Sequence, residues 1–496
     1  MIGIMPCAGK GTRFFELGKE YPKCILPYQE KPLLVYNVKW LIDQGCSEVL
    51  VVADHHRDKI EEVVKDYDLP VKVIAPKNNK GLSISIQSAL DVQDDTSVMI
   101  MLGDMLVHDS PGEENFNWVS TARVKDWSRW CMFDPNKNIF LEKPEEQPDT
   151  NHALTGVYFL TSSKKLSNAI DKQVSQNITA KGEYTISSAL PLMECKFKTK
   201  NLQTLDFGSV EQYFRNKAIK KGRAFNSIEF KDNTVIKKSG QNQKIIDEIN
   251  WYQNIPNILK SRTPKLLEYD MYSEQSSYTM QRINNPTVRE LYLFFDRSVD
   301  LWYKILSACK NVYMQMIEYE YKYSSFDFIL TKTKSRGKDF ELGDFLKDFE
   351  KIGREVDTTT HLIHGDFIPA NMFWSSINED IIMIDPRGQM LGSKYYDWAK
   401  MKHSFNYHYD FIDAELYTLN KGVVKMFNDG CEKIENIFNK MEAEIFNEEE
   451  RLYLKFLTAS LFMSEVPLHG HNKINQRLLY ETYEKIYNEI NTRVVK

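Results

Sequence analysis

The sequence predicts two dissimilar domains, a doubly wound α/β sheet followed by an α+β domain rich in helix. Three observations lead there. Over the first hundred residues short apolar runs alternate with stretches of helical period, the pattern of a Rossmann-like mixed sheet. From Glu290 onward helical periodicity takes over, interrupted once between His361 and Asp397 by polar, strand-like pieces. A chain of 496 residues also exceeds what one hydrophobic core usually serves.

The elements follow in order. Ile2 to Pro6, Glu48 to Ala53 and Ser97 to Leu102 read as buried parallel strands, with helices over Pro32 to Gln44 and Asp58 to Asp66 between them. Sheets of this kind bind ligands outside the carboxyl ends of their strands. Strand and loop material continues through Gly156 to Leu160 and Leu205 to Gly208. A basic stretch with Lys217, Lys220, Lys221 and Arg223 marks the boundary, giving domains 1–218 and 219–496. Ala224 to Lys238 then reads as a hairpin and Lys244 to Asn254 as a helix. The run from Thr331 to Lys338, with Lys332, Lys334 and Arg336, is expected to be a solvated loop.

Composition narrows the function classes. Hydrophobic residues at 42% and charged residues at 27% describe a soluble globular protein rather than a disordered one. A net charge of -5 without a basic half argues against a nucleic-acid partner. The seven cysteines, Cys7, Cys24, Cys46, Cys131, Cys195, Cys309 and Cys431, include no C-x-x-C pair, so reduced thiols in a cytoplasmic protein are expected. No apolar run reaches membrane-spanning length, and membrane insertion is not expected. The partners implied are small molecules, and the sequence leaves room for a homo-oligomer.

Chemistry first shows at Pro6-Cys7-Ala8-Gly9-Lys10-Gly11-Thr12-Arg13, directly after the first strand. A glycine-rich turn there can bring backbone N–H groups up to phosphate oxygens, and Lys10 and Arg13 add positive charge. The spacing is neither a P-loop nor the dinucleotide fingerprint. Tyr21-Pro22-Lys23-Cys24-Ile25-Leu26-Pro27 follows. Together, G-x-G-T-R and P-K-x-x-L-P resemble the sugar-phosphate nucleotidyltransferases, and the resemblance runs in order to about Tyr213. It implies that Arg13 and Lys23 are catalytic and that Ala8, Gly9, Gly11 and Gly81 line the nucleotide site. It further implies Asp104 and Asp206 as Mg²⁺ ligands, from Leu102-Gly103-Asp104 and Leu205-Asp206-Phe207-Gly208-Ser209. Lys143, in Glu142-Lys143-Pro144, and Gly156, in Thr155-Gly156-Val157-Tyr158, are expected beside the substrate. The residue types suit the chemistry on their own terms. Two anionic molecules must be neutralised before attack on the α-phosphorus, and carboxylates with Mg²⁺, lysine and arginine do that. The Asn78 to Ser83 loop falls where that family contacts its base, and the Cys-Ala-Gly-Lys-Gly pattern is closer to cytidylyltransferases, which favours CTP.

The second constellation is His364-Gly365-Asp366-Phe367-Ile368-Pro369-Ala370-Asn371, with Asp385 ending the apolar run Ile381 to Ile384. Aspartate, four residues, then asparagine is the spacing of a kinase catalytic loop. The set resembles the aminoglycoside phosphotransferase and choline kinase family. It implies a bilobal protein-kinase-like fold, with an N-lobe over about 219–285 and a helical C-lobe over about 286–496. Asp366 would be the base, Asn371 and Asp385 would hold Mg²⁺, Lys237 or its neighbour Lys238 would meet the ATP phosphates, and Glu248 would pair with that lysine. Met280 falls in the expected adenine-contacting hinge. There is no glycine-rich loop near Ala224 to Phe230, so Asn226 and Ser227 are expected to cover the phosphates. Asp385 is followed by Pro386-Arg387 rather than Phe-Gly, which points to small acceptors. Asp397 is expected to be a structural helix N-cap. Trp374, Trp398, Tyr395 and Tyr396 are either an amine cage or core, and core packing is favoured.

The two resemblances together imply a bifunctional enzyme that uses ATP, a second NTP and Mg²⁺. A free acceptor such as choline, ethanolamine, a polyol, a hexose or a heptose would be phosphorylated and then nucleotidylated, for surface or capsular polysaccharide synthesis. A single active half is the competing expectation, as is an antibiotic-modifying kinase fused to an unrelated domain.

Overall fold

The computed structural model describes residues 1–9, 11–14, 18, 21–29, 31–78, 80–90, 94–112, 115–180, 182–218, 226–231, 233–239, 242–273, 275–294 and 297–494. Lys10, Asn79, residues 219–225 around the expected boundary, and the side chains of Lys217, Asn226 and Ser227 lie outside the described residues. Two compact units are present, Met1–Lys221 with Tyr417–Lys425, and Gly222–Leu416 with Met426–Lys496.

In the first unit β1 (Ile2–Pro6), α1 (Leu33–Asp43), β2 (Glu48–Val52), α2 (Arg57–Asp66), β3 (Val71–Ile74), α3 (Leu82–Leu90) and β4 (Val98–Met101) alternate. Parallel pairing sets Ile4 opposite both Leu50 and Ile100, and all three side chains are buried in one apolar core. Strands covered on both faces are expected to be continuously apolar, which explains Glu48-Val49-Leu50-Val51-Val52. The chain continues through β5 (Met105–Val107), β6 (Trp118–Arg123), β7 (Cys131–Asp134), β8 (Ile139–Glu142) and β9 (His152–Leu160). After α4 (Ser163–Ser175) come β10 (Lys198–Lys200), β11 (Thr204–Asp206) and α5 (Val210–Ala218). The main sheet runs β8-β7-β9-β4-β1-β2-β3, with β6 and β10 off this path. Strand β9 is antiparallel to β4, so the sheet is mixed. Order reverses between β1 and β4, and a crevice at such a switch point receives ligands. A separate ribbon pairs β11 with β5 and sets Asp206 opposite Met105, carrying a distant carboxylate back to the end of β4.

The second unit opens with β12 (Asn226–Lys231), β13 (Thr234–Ser239), α6 (Asn242–Asn254), β14 (Leu266–Asp270) and β15 (Ser277–Gln281). The four strands form a sheet ordered β12-β13-β15-β14. Helices α7 (Val288–Phe294), α8 (Val299–Ile317), α9 (Phe326–Arg336) and α10 (Gly343–Val356) follow. A polar segment comes next, containing β16 (Thr360–Leu362) and the hairpin β17 (Met372–Ser375) and β18 (Asp380–Met383). Helices α11 (Lys394–Phe405), α12 (Glu432–Ile445), α13 (Glu448–Glu465) and α14 (Lys473–Val494) complete the unit. Trp398 stacks on Phe438 and Tyr395 meets Tyr453 edge-on, so these aromatics serve the helical core. Among the described residues no helix is long and apolar enough to cross a membrane, and all seven cysteines are free thiols.

Two expectations are corrected. Most of the Thr331 to Lys338 run is helix α9, not loop: Phe326, Ile329, Leu330 and Thr333 supply a buried face at helical spacing. Its basic residues are compatible with helix, since Lys334 and Arg336 sit in the last turn, where positive charge suits the helix dipole. Ser393, not Asp397, caps α11, its side chain accepting from Tyr395 N–H. Asp397 sits one turn in and accepts the N–H groups of His364 (2.7 Å) and Gly365 (2.8 Å).

Candidate functional site

The turn leaving β1 and the turn leaving β4 open onto one cavity of about 750 Å³. Ala8, Gly9, Gly11, Arg13, Lys23, Gly81, Asp104 and Lys143 all line it. Lys23 Nζ donates to the Gly208 carbonyl at 2.8 Å and lies 3.5 Å from Asp104 Oδ2. Side-chain exposure of 18% for Lys23 and 29% for Asp104 leaves both reachable from the cavity. Gly81 has φ +136°, and a β carbon there would come within 2.6 Å of the Tyr184 backbone. Only glycine lets these segments cross so closely. Lys143 holds a left-handed backbone, φ +44°, unusual for a lysine and found where it turns into the cavity.

Asp206 is not among the lining residues, but its carboxylate adjoins Asp104. A β carbon on Gly208 would lie 2.9 Å from Asp206 Oδ1 and 3.6 Å from Asp104 Oδ2. Asp206 accepts Gly208 N–H at 2.7 Å and Gln212 Nε2–H at 2.6 Å. Burial, with Asp104 adding to it, pushes the Asp206 carboxyl above its ordinary value. Two crowded carboxylates of this kind fit a divalent cation, which would relieve their repulsion. No group of three potential metal ligands occurs among the described residues, so Mg²⁺ here would draw its remaining oxygens from nucleotide and water. Gly156 is absent from the cavity lining. Its φ is +90°, and a β carbon would strike Met105 Sδ at 2.4 Å and Leu102 Cδ1 at 2.8 Å, so its observable constraint is packing beneath the site.

In the second unit, strand β13 delivers Lys237 and helix α6 delivers Glu248. Lys237 Nζ donates to Glu248 Oε2 at 2.8 Å and to Asp385 Oδ1 at 3.1 Å. Tyr278 Oη also donates to Glu248, at 2.7 Å. Burial opposes the Lys237 charge, but Asp385 and Glu248 outweigh it and hold the ammonium above its usual range. Asn371 Nδ2 donates to Asp366 Oδ2 at 3.0 Å, and Ile384 N–H donates to the Asn371 carbonyl at 2.9 Å. The Ile384–Asn371 bond thus ties the segment ending in Asp385, which pairs with Lys237 and through it Glu248, to the loop that carries Asp366 and Asn371. Asp385 adopts φ +54°, a strained conformation of the kind that clusters at functional sites. Its carboxylate and the Asn371 amide oxygen are hard donors suited to Mg²⁺. Met280 is buried on β15 opposite Val235.

Asp366 is steadied by Lys400, whose Nζ lies 3.2 Å from Oδ1. Burial works against its ionisation, but Lys400 and His364 prevail and hold the carboxyl below its usual range. Lys400 escaped the motif reading. A sequence signal did exist: Asp397 and Lys400 are i, i+3 on one helix and so share a face. Glu183 and Ser85 of the first cavity carried no motif, because they arrive through the packing of a remote turn and a helix start.

Residues 3–110 match the MobA-like NTP transferase domain. The chain is 29% identical over 214 residues to a UTP–glucose-1-phosphate uridylyltransferase, AglF, of Haloferax volcanii, covering 39% of this chain and 83% of the relative. It is 28% identical over 232 residues to UTP–glucose-1-phosphate uridylyltransferase 2 of Staphylococcus saprophyticus, covering 38% and 78%. A crystal structure of UDP-glucose pyrophosphorylase complexed with UDP-glucose overlaps 45% of this chain and 99% of its own at 21% identity and a TM-score of 0.39. The family model and the two uridylyltransferases agree that the N-terminal part resembles nucleotidyltransferases, and each match covers less than half of the chain.

Proposed function

We propose that the first unit is a nucleotidyltransferase acting on a phosphorylated small molecule, and that the second unit makes that substrate by phosphorylating a hydroxyl group with ATP. The observation that carries the reading is the convergence of Arg13, Lys23, Asp104 and Lys143 on a single cavity, with Asp206 beside Asp104. An oxygen of the substrate phosphate attacks the α-phosphorus of the NTP, the α–β bridging bond breaks, and pyrophosphate leaves. Lys23 and Arg13 stabilise the charge that gathers on the α-phosphate. Mg²⁺, held by Asp104 and Asp206, would supply electrophilic polarisation. The Cys-Ala-Gly-Lys-Gly turn favours CTP as donor; the relatives named for UTP make UTP its competitor.

In the second unit Asp366 takes the proton of the acceptor hydroxyl as its oxygen attacks the γ-phosphorus, and ADP leaves. Lys237 meets the α- and β-phosphates, and Glu248 fixes its position. The support is the Lys237–Glu248–Asp385 ion-pair group, tied to the Asp366–Asn371 loop by the bond from Ile384 N–H to the Asn371 carbonyl. The two half-reactions convert a free acceptor to a nucleotide-activated one, a donor for surface-polysaccharide assembly in the cytoplasm. The test is incubation with ATP, Mg²⁺, each of CTP, UTP, GTP and dTTP, and a library of sugars, polyols and amino alcohols, read by mass spectrometry. A nucleotide-linked acceptor mass is expected. Its absence, with every phosphorylated acceptor also failing to release pyrophosphate, would remove the proposal.

A further inference from the structure

Beside Asp366 lies a group of cations that the phosphoryl-transfer reading leaves without a task. Lys332 of α9 donates to Tyr396 Oη at 2.8 Å, and Arg387 Nη1 donates to the same oxygen at 2.9 Å. Lys400, one turn beyond Tyr396 on α11, is occupied by Asp366 at 3.2 Å and Glu465 at 3.7 Å. Lys332 and Arg387 differ from it: among the described residues neither has a carboxylate within ion-pair distance. Burial of positive charge without a counter-charge is costly, and the neighbours register the excess. Burial, with Arg387 and Lys400 adding to it, pulls Lys332 below its ordinary value. Burial pushes the Tyr396 phenol up, but Lys400, Lys332 and Arg387 outweigh it and bring the phenol below its ordinary value.

The position is as informative as the charge. A cleft of about 20 Å³, room for one small polar group, is lined by Arg387 and Tyr396 together with Phe328, Ile329, Ile363 and Gly365, and none of its lining residues is acidic; Lys332 borders it through Tyr396. Gly365 precedes Asp366, and a β carbon on Gly365 would sit 2.8 Å from the Arg387 β carbon. Lys400, which holds Asp366, stands one turn from Tyr396 on α11, so a molecule presenting a hydroxyl to Asp366 has Tyr396 and Arg387 within reach of its remaining groups. An amine or quaternary ammonium there would meet like charge without an acidic partner, whereas an oxyanion would complete the pairing that Lys332 and Arg387 lack.

We propose that the Lys332–Tyr396–Arg387 group is the acceptor-recognition site of the second unit and selects a hydroxylated substrate that carries an oxyanion, a carboxylate or a phosphate-type ester, rather than an amino alcohol. This rests on the kinase reading of that unit. It gives Lys332 of α9 a role and assigns specificity to the Pro386-Arg387 departure after Asp385.

The test uses the full chain saturated with Mg²⁺ and a non-hydrolysable ATP analogue. Isothermal titration compares two series matched except in charge: glucuronate, glucose and glucosamine, and glycerate, glycerol and serinol. In at least one series the anionic member is expected to bind about 10-fold more tightly than the neutral one, and the amine not at all. Arg387→Gln and Lys332→Met should each remove most of that preference, and Arg387→Lys should restore part of it. The proposal is overturned if an amine or neutral member binds as tightly as the anionic one, if no member binds, or if the preference survives both substitutions. Binding of the ATP analogue is read separately, with Lys237→Met as its control. Loss of acceptor discrimination with intact nucleotide binding sinks only this proposal, whereas failure of nucleotide binding in the unsubstituted chain sinks the kinase reading beneath it.

Discussion

The two candidate sites use the same side chains in opposite ways. In the first unit Lys23 and Asp104 are 3.5 Å apart and remain 18% and 29% exposed at the edge of a wide cavity. In the second, Lys237 and Glu248 are 6% and 1% exposed, and the carboxylate takes a further hydrogen bond from buried Tyr278. The first arrangement is an open set of charges whose counter-ions arrive with the substrate. The second is a locked set in which lysine position and domain packing are one property. Exposure and partner thus tell a charge left open until a ligand arrives from one whose position the fold fixes beforehand.

The largest effects should come from breaking each chemistry separately. Asp366→Asn is expected to lower ADP formation by about 10²–10⁴-fold, the usual worth of a general base, while pyrophosphate release from a pre-phosphorylated acceptor continues. Asp104→Asn should do the reverse, lowering pyrophosphate release by about 10²–10³-fold, comparable to losing a preorganised electrostatic contact. Coupled assays for ADP and pyrophosphate on the same preparations decide it. Loss of both activities in either variant would break the comparison of two self-sufficient sites.

Next come the costs to folding. Glu248→Ala leaves Lys237 buried with a weakened counter-charge and should cost the second unit about 3–5 kcal/mol. Lys23→Ala removes an ion pair whose members are partly exposed, so its cost should stay within about 1 kcal/mol. Denaturant unfolding followed by near-UV circular dichroism, with the two units resolved as separate transitions, measures both. Equal losses would mean that exposure is a poor guide to which charges the fold depends on.

The sequence disclosed these regions unevenly, for physical reasons. The β1–α1–β2 alternation was legible because strands covered on both faces must be apolar and the helices between them must show a period. The Asp366–Asn371 and Lys23 motifs were legible because local spacing alone fixes their geometry. Helix α9 was not, since a run of four basic residues hid the buried face made by Ile329, Leu330 and Thr333. The bracing role of Asp397 was also hidden. Its partners, the N–H groups of His364 and Gly365, are more than thirty residues away, and only tertiary packing brings them together. Residues such as Tyr396, Lys400 and Glu183 share that character: each lacks a motif and acquires its neighbours through the fold.

The last expected effect concerns acid. His364 is fully buried and packs edge-on against Trp251. Burial lowers its pKa to about 4, against about 6.5 in an unfolded chain. Between those values the unfolded chain binds the extra proton and the folded one does not. The contribution to stability is therefore complete above pH 6.5 and is lost as pH falls towards 4, by at most about 3 kcal/mol. Asp397, raised by burial to about 7, and Asp357, raised by burial to about 6, titrate in the opposite sense. The informative quantity is accordingly the difference between variant and parent across pH, not either slope alone. His364→Phe should lose less stability than the parent between pH 6.5 and 4, because it has no proton to gain. Buried His403 and His408, also lowered by burial, keep some acid sensitivity in place. The first unit's lowered histidine, His152, is only half-buried, so its transition should respond less to the same acidification. Parallel Tm–pH curves for parent and His364→Phe would show that this ring is not held neutral by the core, and that the locked character of the second site stops short of its catalytic loop.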